Sequence, residues 1–137
     1  MEPMKCLLFA AVVAASLAAC ASSPGGLEVP EYGSTFTVEQ PYQLTLKNIL
    51  AGDQECRPIQ LLPVGQQIND VQNFPDLREA RIIQGASGVG RQIYDVIVIK
   101  ELDGKSVVTH YRKGEGTRRK FVTRTERWAH GSKSCDL

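Results

Sequence analysis

Gln92-Ile-Tyr-Asp-Val-Ile-Val-Ile-Lys-Glu-Leu-Asp-Gly-Lys-Ser-Val-Val-Thr-His-Tyr-Arg112 decides the fold. Two runs rich in β-branched and aromatic residues flank Asp103-Gly104, a dipeptide that suits the two positive-φ positions of a type I′ turn. A two-residue turn sets the register of the hairpin: Leu102 faces Lys105, Ile99 faces Val108, Ile97 faces His110, and Asp95 faces Arg112. The last pair has opposite charges, which supports that register. Tyr94, Val96 and Val98 then share a face with Val107, Thr109 and Tyr111, the face expected to lie under the helices. Ile97, Ile99 and Val108 make the other face apolar as well.

Toward the C-terminus, Gly114-Glu-Gly116 ends the strand and Thr117 is the expected cap of a final helix. Phe121, Val122, Thr125, Trp128 and Ala129 lie on one side of that helix, with Arg119, Lys120, Arg124 and Arg127 largely away from it. Gly131 ends it, and Cys135 follows. Toward the N-terminus, Gly85-Ala-Ser-Gly-Val-Gly90 reads as a loop and 77–85 as a short strand. Residues 57–76 hold Pro58, Pro63 and Pro75, and one strand is expected there, around 61–68. Residues 34–39 alternate, with Phe36 and Val38 inward, as a half-buried strand does. Pro41 suits the first turn of a helix, whose stripe is Tyr42, Leu46, Ile49 and Leu50. Gly52 is its expected end, unless the helix continues to Cys56. The expected fold is therefore α+β over 34–137: an antiparallel sheet of about four strands, packed by an N-terminal and a C-terminal helix.

The first 19 residues form a different kind of segment. Lys5 precedes an apolar run of about 14 residues, shorter than the roughly 20 a helix needs to cross a bilayer. Small residues follow, as before a signal-peptide cut. Leu17-Ala-Ala-Cys20 resembles the lipobox of bacterial lipoproteins, in which the cysteine thiol receives a diacylglycerol, the peptide is cut before it, and the new amine is acylated. The resemblance implies lipidation of Cys20 and anchoring in the cell envelope. With Ala21 rather than Asp next, it implies the outer membrane, facing the periplasm. Residues 20–33, rich in Pro, Gly and Ser, read as a flexible tether.

That compartment is oxidising, and Cys56 and Cys135 are the thiols left once Cys20 is lipidated and Cys6 removed with the signal. Their pairing is the expectation, as the single disulfide of the domain. Two cysteines without a histidine cluster do not make a zinc site, and no metal or cofactor is expected.

Charge is unevenly spread. Residues 20–81 carry 8 acidic and 4 basic side chains, while 82–137 carry 6 acidic and 11 basic. The near balance of the whole argues against nucleic acid as a partner. Gly85, Gly88 and Gly90 lack the Lys-Ser/Thr and the following helix of a phosphate loop. Ser87 misses the nucleophile-elbow spacing, and neither His110 nor His130 has a partner visible in the sequence. No catalytic residue is assigned, and the chain is expected not to be an enzyme.

The strand-Pro-Tyr-helix-Cys opening, the central hairpin and the Trp128-x-x-Gly131-x-x-x-Cys135 tail resemble a set of small bacterial envelope lipoproteins. The arrangement is also similar, more distantly, to a shortened START-like helix-grip domain, which implies an apolar ligand held between sheet and helix. The expected function is a non-enzymatic, membrane-anchored envelope lipoprotein that binds a protein partner or supports an envelope assembly. The alternative is a small-molecule or lipid-binding module whose pocket, or core, is formed by Tyr94, Val98, Phe121 and Trp128.

Overall fold

A computed structural model of the chain describes residues 23–57, 65–88 and 90–137. Residues 1–19, the expected signal, Cys20 and positions 61–64 of the expected strand lie outside the described residues. The elements are β1 (Gly33–Val38), α1 (Tyr42–Cys56), β2 (Gln66–Phe74), β3 (Glu79–Gly88), β4 (Gly90–Leu102), β5 (Lys105–Tyr111) and α2 (Glu115–Ala129). The five strands form one antiparallel sheet in the order β1-β5-β4-β3-β2. The class is α+β as expected, with five strands where about four were expected.

The hairpin register is the expected one: Leu102 faces Lys105, Ile99 faces Val108 and Ile97 faces His110. Asp103 and Gly104 have φ of 52° and 76°, the paired positive values that a type I′ turn needs. The faces, however, are the reverse of the expectation. Ile97, Ile99 and Val108 lie under the helices, with Ala80 and Ile82 of β3 and with Tyr42, Leu46, Ile49, Trp128 and Ala129. Val96 and Val98 point the other way, into a second cluster with Leu27, Ile83 and Ile93. Both faces of β4 are apolar, so local pattern does not distinguish them. The choice falls to what covers each face.

The second face is covered by chain that composition reads as a spacer. From Ser23 the backbone makes two short 3₁₀ turns, Pro24–Gly26 and Pro30–Tyr32, with Leu27 between them only 1% exposed. Glu28 pairs with Arg81, and the Arg112 N–H donates to the Tyr32 carbonyl at 2.9 Å. Residues 23–33 are thus a strap packed on the sheet, with Leu27 in the second cluster and Tyr32 packed against it.

The expected loop 85–90 is largely strand, since β3 runs to Gly88 and β4 begins at Gly90. Gln84 faces Asp95 while Gly85 faces Ile93, which leaves Tyr94 as the extra residue of a bulge. A side chain at Gly85 would lie 2.0 Å from the Gln92 carbonyl oxygen, so the close approach at the bulge requires glycine.

Helix α1 starts at Tyr42, whose N–H donates to the Glu101 carboxylate at 3.1 Å, so β4 caps this helix from outside. Gly52 does not end it. The helix continues to Cys56, and Gly52 is buried beneath the Trp128 indole, where a Cβ would lie 2.3 Å from a ring carbon. Helix α2 starts at Glu115 with Gly114, rather than Thr117, at the cap. The carbonyls of Glu126, Arg127 and Trp128 accept from the N–H groups of His130, Ser132 and Gly131, and the Ala129 carbonyl accepts from the Gln40 and Asn48 side-chain amides at 2.9 and 3.0 Å. Cys56 and Cys135 form the expected disulfide, with Cα atoms 5.3 Å apart. The bridge joins the end of α1 to the tail after α2. The Trp128 indole N–H holds the same tail by donating to the Ser134 carbonyl at 2.8 Å.

Candidate functional site

At the bulged end of the sheet, Gln84 and Asp95 take the face positions that Ile82, Ile97 and Ile99 fill further along. Polar groups there leave the helices nothing apolar to close on, and a cleft of about 300 Å³ opens between sheet and helices. Its floor is the β2–β3–β4 corner, with Asn69, Gln84, Tyr94 and Asp95. One wall is the end of α1, with Asp53 and Arg57. The other is α2, with Phe121, Arg124 and Trp128, next to Arg112 at the end of β5.

Of the four residues assigned to a pocket or core, three meet here. Trp128 is 3% exposed and belongs to the core, with one edge on the cleft; Phe121 is half-buried beside it. Tyr94 stands at the rim, 46% exposed, because the bulge turns it out of the strand alternation. Val98 does not take part: it lies on the opposite face, under the strap. The cleft is also charged rather than purely apolar.

Beneath it runs a buried polar chain. The Asp95 carboxylate receives a hydrogen bond from His110 Nε2 at 2.7 Å and one from Arg112 Nη1 at 2.5 Å. An ionised carboxylate only accepts, so Nε2 carries the proton. The Thr125 hydroxyl lies 3.2 Å from His110 Nδ1. Burial by itself would raise the Asp95 carboxyl. The hydrogen bond and charge of His110, then those of Arg112, outweigh that and hold it below its ordinary value of 3.8. The Asp95–Arg112 pair is the one the hairpin register implies. No partner of His110 is visible in the sequence, and the structure supplies them. His110 is 2% exposed and has two partners, from β4 and α2. Thr125 is equally enclosed at 2%, so the hydroxyl faces the core and not the cleft.

The arginines of the cleft differ in what they meet. Arg57 pairs with Asp53 at 2.5 Å, and Arg112 pairs with Asp95 while lying over the Phe121 ring at 3.6 Å. Arg124 was expected to point away from the apolar side of its helix. Instead its guanidinium packs on both aromatic rings, 4.7 Å from the Phe121 and the Trp128 centroids. Its Nε is sealed from solvent and has no acceptor, and the side chain has no hydrogen bond or ion pair among the described residues. Burial lowers its pKa from the usual arginine value; Asp95 and Asp53 oppose that, while Arg112 and Arg127 add to it. The aromatic spacing Phe121…Trp128 is readable from the sequence. The arginine between them reads as surface, because helical periodicity places it at the edge of the stripe.

Among the described residues, no three His, Cys, Asp or Glu side chains converge as a metal site requires. What the arrangement offers is a preformed concave surface with one uncommitted cation between two aromatic rings. Compared with protein-family models, curated proteins and solved structures, the chain matches none of them.

Proposed function

We propose that the protein is a non-enzymatic lipoprotein of the cell envelope, a member of the small lipoprotein set it resembles. It is held by lipid on Cys20 in the outer membrane and faces the periplasm, and its domain binds a small ligand in the cleft between the sheet and α2. The observation that carries the binding half is Arg124, a guanidinium placed between two aromatic rings inside a cleft with no acceptor supplied by the protein. No ion pair among the described residues neutralises this guanidinium, and an unpaired cation on the wall of a concave site is a place for an anionic group from outside. A binding role rather than a catalytic one is supported by the enclosure of Thr125 and His110, which leaves their hydroxyl and imidazole out of a ligand's reach. The anchor half rests on Leu17-Ala-Ala-Cys20, and no described helix is long and apolar enough to cross a membrane. A protein partner is the second reading. It is supported by Leu77 and Leu102, exposed on adjoining turns at the other end of the sheet and linked there by the Glu101 N–H donating to the Arg78 carbonyl at 3.0 Å.

Two experiments test the proposal. Cys20→Ala should move the protein from the membrane fraction to the soluble one; if it sediments with membranes as before, the anchor is wrong. Protein isolated from its own membranes should release a small molecule on denaturation. An Ala86→Trp variant, with bulk added to the cleft lining, should release none. Identical extracts from the two would remove the cleft as the binding site.

A further inference from the structure

The lining of the cleft specifies more than a ligand; it specifies its charge. Three arginines, Arg57, Arg112 and Arg124, meet two carboxylates, Asp53 and Asp95. Each carboxylate is already taken, Asp53 by Arg57 and by the Gln84 amide at 2.8 Å, and Asp95 by Arg112 and His110. Among the residues that line the cleft one positive charge is left over, and it sits on Arg124. The rings of Phe121 and Trp128 pack against this guanidinium and Nε is closed off, so its open donors are those at the Nη end. A guanidinium presented in this way is matched by the two oxygens of a planar oxyanion. Across the cleft mouth, the rim residue Tyr94, 46% exposed, offers ring surface for a flat apolar group.

We infer that the cleft takes a small monocarboxylate carrying a flat or aromatic group, its carboxylate paired with Arg124 and its ring beside Tyr94. This rests on reading the cleft as a binding site, and it adds the ligand class. A monoanion neutralises the surplus charge. A dianion would place an unbalanced negative charge beside Asp95 and Asp53, so a carboxylate fits better than a phosphate monoester.

The chain carries its own reporter. Trp128, its one tryptophan, lies against Arg124 on the cleft wall, so occupancy should change its fluorescence. The full lipoprotein in detergent is titrated with benzoate, with the neutral isostere benzamide, and with phenyl phosphate. Benzoate should give a saturable change, with benzamide weaker by about tenfold or more, as expected for loss of a charge-assisted pair. Arg124→Gln should abolish that preference and Arg124→Lys keep part of it. Arg119→Gln, on the outer face of the helix, should change nothing. Circular dichroism verifies that each variant is folded. Equal binding of benzoate and benzamide, unaffected by Arg124→Gln, would overturn the carboxylate inference and leave the cleft as a binding site. Tighter binding of phenyl phosphate than of benzoate would overturn the preference for a monoanion. No binding of any probe, with identical extracts from wild type and Ala86→Trp, would overturn both.

Discussion

Replacing both Cys56 and Cys135 by serine should lower the melting temperature by on the order of 20 °C. The bridge spans 79 residues, nearly the whole domain. In the chain-entropy account a loop of that length stabilises by about 4–5 kcal/mol, and in a domain near 100 residues each kcal/mol moves the midpoint by roughly 4–8 °C. The effect is also local. The disulfide and the Trp128–Ser134 hydrogen bond together hold the tail against α2, and the same disulfide pins the last turn of α1, which carries Asp53 and lines the cleft. Loss of the bridge should therefore shift Trp128 emission to the red at temperatures well below the global midpoint. Thermal melts followed by circular dichroism and by fluorescence, with and without reductant, measure both effects. A double variant that melts within about 3 °C of the wild type would show that packing alone holds the tail.

The second large effect is expected at Asp95. Asp95→Asn keeps the size of the side chain, removes its charge, and replaces one of the two acceptor oxygens that Arg112 and His110 use with an NH2 donor. Breaking one partner out of a buried pair typically costs about 3–5 kcal/mol, and the lower end applies here because Arg112 is partly exposed. The carboxyl is held below its ordinary value in the folded state. Its contribution is therefore fully present above the unfolded-state value, near 3.9, and is lost as the pH falls through the lower folded-state value. The wild type should lose stability on acidification below about pH 4 through this group, and Asp95→Asn should lack that component while being less stable at pH 7. Urea midpoints between pH 7 and pH 3 provide the measurement. Parallel acid limbs for the two proteins would show that Asp95 is not what holds the β4–β5–α2 corner together.

The two predictions act on parts of the molecule that differ in how far they can be read from residues alone. The disulfide follows from the cysteine inventory and the implied compartment, and the Asp95–Arg112 pair follows from a turn of two residues. In both, short-range chemistry fixes a long-range neighbour: Asp103-Gly104 accepts positive φ at low cost, and pleating then sets every partner up the hairpin. His110 is different. Its partner across the strands, Ile97, was legible, but Asp95 reaches it diagonally and Thr125 reaches it from α2, which no spacing along the chain indicates.

The same limit explains Tyr94 and Val98. Strict alternation along β4 puts Tyr94 and Val98 on one face. The bulge opposite Gly85 breaks that alternation, and its cause is a backbone-to-backbone approach between neighbouring strands. Gly52 reads as a helix end for a similar reason. Glycine is permissive locally, and the need for it comes from an indole delivered by a helix more than 60 residues later.

By itself, then, the sequence determined the α+β class, the central hairpin and its register, the stripe of α1, the presence of a C-terminal helix and the pairing of Cys56 with Cys135. These depend on local backbone preference, on periodicity, or on there being two thiols to pair. Only the tertiary structure decided which face of β4 lies under the helices, because both are apolar and the outcome depends on Leu27 covering one of them. Only it, too, opened the cleft onto which Arg124 faces with Phe121 and Trp128, its neighbours one turn away on the same helix. A helix periodicity gives the direction of a side chain; what that side chain meets depends on how the helix is set on the sheet, and here that is fixed by Gly52 beneath the indole and by the disulfide at the tail.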